Sequence, residues 1–111
     1  MERVVRVLFP ERREEALEDL YVDLRFPEPS GRPFLYLNMV ATADGAAHLG
    51  GRTRGMGGAA DRVAFRRLRE HCDLVLVGAG TVRVEGYGPP RLDAQAQERR
   101  RRRGLAPLHP L

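Results

Sequence analysis

A single cysteine, Cys72, stands among 111 residues. One thiol excludes an intramolecular disulfide framework and any metal site that needs two cysteine ligands; Cys72 is expected at the buried end of a helix. Long apolar runs are missing as well. No stretch approaches the length of a membrane span, and the opening MERVVRVLFPERREE breaks its short apolar run with charges, so no secretory signal is read. A cytoplasmic location follows as the default. With 42% hydrophobic and 31% charged residues, the chain has the composition of one soluble domain with a modest core, not of a disordered segment.

The net charge is +4, and its largest concentration is the run Arg99 to Arg103, which follows Gln95-Ala96-Gln97-Glu98. Like-charge blocks are usually exposed, so the run reads as a solvated helix end or connector. A patch for phosphate or nucleic acid, acting through counterion release, is the sharper alternative. No aromatic residue is interleaved with these arginines, which argues against a single-strand stacking platform. Neither nucleic acid nor a membrane is an expected partner.

Glu11 to Leu20 (ERREEALEDL) has good helix formers with a narrow apolar stripe of Ala16, Leu17 and Leu20, and is expected to form a short surface helix. Phe26 to Pro33 (FPEPSGRP) contains three prolines and a glycine, which deny helix or central strand and make an extended connector. Residues 1–32 are thus read as an N-terminal extension, with the fold proper beginning at 33. Phe34 to Val40 (FLYLNMV) is nearly continuous in apolar residues, as a strand covered on both faces would be. It leads into Asp44-Gly45, which is common turn chemistry. In an open α/β sheet ligands gather beyond the carboxyl ends of strands, so Asp44 also stands where a polar contact is useful.

Leu49 to Gly58 holds five glycines in ten residues and reads as a loop able to approach a ligand closely. From Ala59 to His71 helical spacing returns, with Ala60, Ala64, Leu68 and Cys72 at intervals of four. Asp73 to Val77 is a second expected buried strand, running into Gly78-Ala79-Gly80. A dinucleotide fingerprint needs a third glycine where Arg83 stands, so the standard Rossmann reading fails. Strand, glycine-rich loop, helix, strand and Gly-x-Gly in that order predict a right-handed βαβ unit with both strand ends facing one crevice.

The pieces LNMVATADG (37 to 45), GGRTRGMGGAADRVAFRRLR (50 to 69) and DLVLVGAGTVRVEGYGP (73 to 89) resemble the reductase domain of the bifunctional riboflavin-biosynthesis deaminase-reductase. That domain is a pyrimidine reductase, and the resemblance implies an α/β, dihydrofolate reductase-like three-layer fold with a mostly parallel central sheet. It also implies NADPH as cofactor, bound by glycines that precede a short helix, so Arg83 is no obstacle. The implied reaction is reduction of 5-amino-6-(5-phosphoribosylamino)uracil to its ribitylamino product.

By the same resemblance, Asp44 faces the substrate, with a role in polarising or donating to the reacting end, while Thr53 and Arg69 match substrate contacts. A guanidinium is the group expected to grip a phosphate by paired hydrogen bonds, and Arg91 is a second candidate for that task. Val40, Gly55, Gly78, Gly80, Thr81 and Glu85 fall to the cofactor. The pattern often has aspartate where Glu85 stands; glutamate keeps the charge and adds one methylene. No metal is implied, and the His-x-Glu and Pro-Cys-x-x-Cys pattern of zinc deaminases is absent.

Family members continue through further strands and a second glycine-rich segment, so 33–111 is expected to be the first half of such a domain. A homodimer is expected of the full-length form and no turnover of this segment alone. An inactive remnant, a basic binding module built on Arg99 to Arg103, and a reductase of a dihydrofolate-like pteridine remain as alternatives.

Overall fold

A computed structural model of the chain describes residues 4–53 and 55–109. Its elements are two strands, β1 (Val4–Val7) and β2 (Arg13–Ala16), a 3-10 turn over Leu17–Asp19, and three helices, α1 (Ala59–Glu70), α2 (Ala79–Glu85) and α3 (Ala94–Arg102).

The helix expected over Glu11 to Leu20 is replaced by β2 and the 3-10 turn. β2 pairs antiparallel with β1 in the register Val4↔Ala16, Val5↔Glu15, Arg6↔Glu14 and Val7↔Arg13. Tertiary pairing overrides helix propensity here because VVRV offers β-branched partners and sets Arg6 opposite Glu14. Leu17 then turns inward to 3% exposure and packs with α1, so the N-terminal extension is part of the packing.

The two expected buried strands are also corrected. Among the described residues the only sheet is the β1–β2 hairpin. Residues 34–40 and 73–77 carry no ladder, and no parallel βαβ unit forms. Residues 74–77 alternate, with Val75 and Val77 half-buried and Leu74 and Leu76 in solvent; in 34–40 only Tyr36 and Val40 are half-buried, whereas Leu35, Leu37 and Met39 stand in solvent. An apolar run specifies a strand only when neighbouring strands accept its backbone groups.

α1 forms where the spacing of four predicted it. Gly58 caps it, Asp61 lies in its first turn, and Arg67 and Arg69 lie in its last, which suits the helix dipole. α2 begins after Gly78 and stops at Gly86, whose φ of 68° is the left-handed conformation a helix terminus asks of glycine. α3 starts from Asp93, whose side chain accepts from the Ala96 amide at 2.8 Å.

The joint between α1 and α3 is polar at its centre. Glu70, 5% exposed, is bonded from one side by Arg67 (Nη1 to Oε1, 3.1 Å) and from the other by Arg99 (Nε to Oε2, 2.8 Å; Nη2 to Oε1, 3.0 Å). Arg100, 1% exposed, donates to the carbonyls of Glu70 (3.1 Å), Cys72 (2.7 Å) and Ala106 (2.7 Å), which joins the end of α1 to the segment after α3. Cys72 lies just past that helix end and is half-buried.

Aromatic residues of the connector cover the same end of α1. Phe26 stacks on Tyr36 with centroids 4.5 Å apart, and the Tyr36 hydroxyl donates to Leu68 O at 2.6 Å. Burial, reinforced by Cys72, pushes the Tyr36 phenol well above its ordinary value.

Candidate functional site

Three short pieces carry most of the sequence-predicted site residues: the turn after Val40, the glycine-rich loop, and α2. Thr42 organises the first. Its N–H donates to Ala46 O (2.9 Å), its carbonyl accepts from Gly45 (2.9 Å), and its hydroxyl accepts from the Ala46 amide (2.8 Å). Gly45 has φ 89°, which explains glycine after the aspartate. The Thr42 hydroxyl also donates to the Asp44 carboxylate.

That hydrogen bond, helped by backbone amides, holds the Asp44 carboxyl below its ordinary value. The side chain is fully exposed and ionised at neutral pH. Of the two roles read for it, polarising and donating, only the first suits such a group.

The glycine-rich loop reverses tightly at Gly50 and Gly51, both at positive φ (57° and 77°), between the paired residues Leu49 and Arg52. Leu49 N donates to Arg52 O at 2.8 Å and Arg52 N to Leu49 O at 3.1 Å. This hairpin presents Thr53, and Gly55 follows with φ 97°. Thr53 meets α2 directly: its amide lies 2.6 Å and its hydroxyl 3.0 Å from Oε1 of Glu85. A residue predicted for the substrate and one predicted for the cofactor are thereby joined across 32 positions of chain.

Gly78 caps α2, and Gly80 and Thr81 are exposed in its first turn. Gly55 and Gly80 have no atom within 4 Å of the place a Cβ would take, so both present open backbone. These residues suit a ligand that needs close approach to main-chain groups, as a nucleotide does. Val40 is half-buried at the end of its extended segment, and Arg91 is exposed beyond Pro89-Pro90.

Arg69 is held differently from the phosphate grip expected. Its guanidinium lies 4.0 Å from the ring centroid of Phe65 and 5.5 Å from that of Tyr87. Burial lowers its pKa, and the group remains a cation. Phe65 precedes Arg69 by four residues on one helix face, a spacing the sequence offered and the reading did not use. Thr42 was missed as well; a threonine two residues before Asp-Gly is the available signal for a turn closed by a side chain.

The arginine run is not a free patch. Arg99 and Arg100 are committed to the α1–α3 joint, and Arg101 and Arg102 pair with Glu98 at 3.5 and 3.2 Å. Arg103 donates to Val22 O and lies 2.6 Å from Nδ1 of His71. A cleft of about 550 Å³ opens there, lined by Phe26, Glu28, His71 and Arg103 among others, and none of the predicted site residues reaches it. Among the described residues no cluster of His, Cys, Asp and Glu is placed to hold a metal ion, and no helix is long and apolar enough to cross a membrane.

A glycine-rich hairpin docked on a short helix that follows Gly-x-Gly marks a small α/β protein with a candidate nucleotide-handling site. Comparison with protein families makes the class specific: residues 33–106 match the RibD C-terminal domain. The chain belongs to that family, the reductase domain of the riboflavin-biosynthesis deaminase-reductase. No curated protein and no solved structure matches it.

Proposed function

We propose that this chain contributes the substrate-facing and cofactor-facing residues of an NADPH-dependent reductase acting on 5-amino-6-(5-phosphoribosylamino)uracil. The family match supports riboflavin biosynthesis and an oxidoreductase. The observation that carries the finer reading is the Thr53–Glu85 contact, which sets the glycine-rich loop beside α2.

NADPH, when bound, supplies the hydride. The chain's own residues bind and orient. Gly55 and Gly80 offer open backbone to the cofactor, with Gly78, Thr81 and the end of Val40's segment beside it. Thr53 stands on the substrate side of the same loop. Asp44, ionised, favours positive charge developing at the aminated sugar carbon as the ring opens, which makes that carbon a better hydride acceptor. Arg69, whose guanidinium lies near the rings of Phe65 and Tyr87, and the exposed Arg91 are cations available to the substrate phosphate.

The solvent-facing Leu35, Leu37, Met39, Leu74 and Leu76 are apolar faces that added strands could cover. Covering them excludes water from the hydride path. The test is NADPH oxidation with the phosphoribosylamino-pyrimidine supplied, for the 111-residue chain and for the chain joined to a family-like second half. Substrate-dependent turnover by the joined protein, with little from the chain alone, is the expected result. A joined, folded protein that leaves NADPH and the pyrimidine unchanged defeats the proposal.

A further inference from the structure

The Thr53–Glu85 contact has a chemistry of its own. One carboxylate oxygen, Oε1 of Glu85, accepts from both the amide and the hydroxyl of a single residue, at 2.6 and 3.0 Å. Thr53 follows the Gly50-Gly51 reversal and precedes Gly55, and all three glycines have positive φ. Among the described residues, the other backbone contact at Thr53 besides Glu85 is its carbonyl, which accepts from Met56 at 3.1 Å. Glu85 is the last residue of α2, locked in place by the Gly86 stop, where the Gly86 amide bonds Val82 O at 2.9 Å. A carboxylate on a helix end thus grips the residue that follows the hairpin.

We infer that Glu85 is a positioning residue: its carboxylate sets the place of Thr53, and it acts on the substrate side through that residue instead of through a contact with the cofactor. Side-chain length is what the arrangement depends on. Aspartate would carry the same charge about 1.5 Å short, and two hydrogen bonds to one oxygen do not survive such a shift. The inference rests on the proposed reductase reading only for the word substrate; the grip on Thr53 stands without it.

The first test needs no catalysis. Trypsin cutting after Arg52 breaks the bond whose amide Glu85 holds, so cleavage there follows how often the grip opens. Glu85→Asp and Glu85→Ala are each expected to speed that cleavage about fivefold or more, while cleavage after Arg102 stays level as the internal reference. Thr53→Ser keeps both donors and is expected to behave as wild type; Thr53→Val keeps only the amide and is expected to fall between. A Glu85→Asp chain cut at the wild-type rate overturns the grip whatever the protein catalyses.

The second test reads the functional half, in the chain joined to a family-like second half. Glu85→Asp is expected to raise the pyrimidine KM about fivefold or more with NADPH affinity within about twofold, a split that general destabilisation does not give. Faster cleavage with unchanged KM for both ligands would keep the grip and remove its link to substrate. NADPH affinity lost in Glu85→Ala and retained in Glu85→Asp would return the residue to the cofactor and overturn the inference.

Discussion

Nη1 of Arg100 lies 2.7 Å from the carbonyl oxygen of Cys72 and 3.1 Å from that of Glu70, so an arginine in the middle of the basic run closes the end of α1. Its Nε reaches Ala106 O at 2.7 Å, and the side chain is 1% exposed. Removing it leaves three carbonyls with nothing to replace a charged donor.

Arg100→Ala is accordingly expected to destabilise the chain by about 3 kcal/mol, the scale of losing charge-assisted bonds in a buried setting. Arg102→Ala, which removes only an exposed pair with Glu98, is expected to shift stability by less than about 0.5 kcal/mol. Urea midpoints of the two variants check this, and similar midpoints would mean the run is a solvated face after all.

Stability is expected to fall on acidification through the histidine range. Burial lowers the pKa of His71, with Arg103 adding to it, and burial followed by Arg100 lowers that of His109. A group whose folded pKa lies below its unfolded value of 6.5 binds more protons when unfolded, so protection is full above that pH and is lost below it. Thermal midpoints recorded from about pH 8 to about pH 5 should drop, and the double variant His71→Gln, His109→Gln should flatten the profile. A midpoint that rises toward low pH contradicts this.

Asp44→Asn, in the chain joined to a family-like second half, is expected to cut turnover about a hundredfold while leaving NADPH affinity within about twofold, because the lost charge is felt where positive charge develops. The Thr42-centred turn survives, since its closing bonds to Gly45 and Ala46 do not use the carboxylate. Turnover within a few-fold of wild type would leave Asp44 as a turn residue only.

NADPH is expected to bind at least about tenfold more tightly than NADH, a difference of about 1.4 kcal/mol, as the family reading around Thr81 implies. Titration followed by nicotinamide fluorescence measures both. Equal affinities would count against the cofactor assignment.

Local signals were legible and pairings were not. The spacing of four from Ala60 to Cys72 placed α1 to within a residue, because helical stripes are written within a few residues, whereas the short helix α2 was expected only from the family resemblance. Phe34 to Val40 and Asp73 to Val77 were read as buried strands on apolar content alone; burial depends on distant partners that no local pattern names. Charge misled in the opposite direction. Five adjacent arginines look like solvent-facing charge, yet Arg100 is the largest fully buried side chain, since its partners are backbone carbonyls that every sequence possesses. At the site, Asp44 and the glycine-rich loop were visible as residue types, whereas the contact from Thr53 to Glu85 depends on how α2 docks and was not.

The most direct measurement of the central claim is isotopic. NADPH deuterated at the transferable position of its nicotinamide ring is supplied, with the phosphoribosylamino-pyrimidine, to the chain joined to a family-like second half. Direct hydride transfer predicts one deuterium on the former sugar carbon next to nitrogen in the ribitylamino product, read by mass spectrometry. A reduced product free of deuterium, or deuterium found on the pyrimidine ring, would contradict the account.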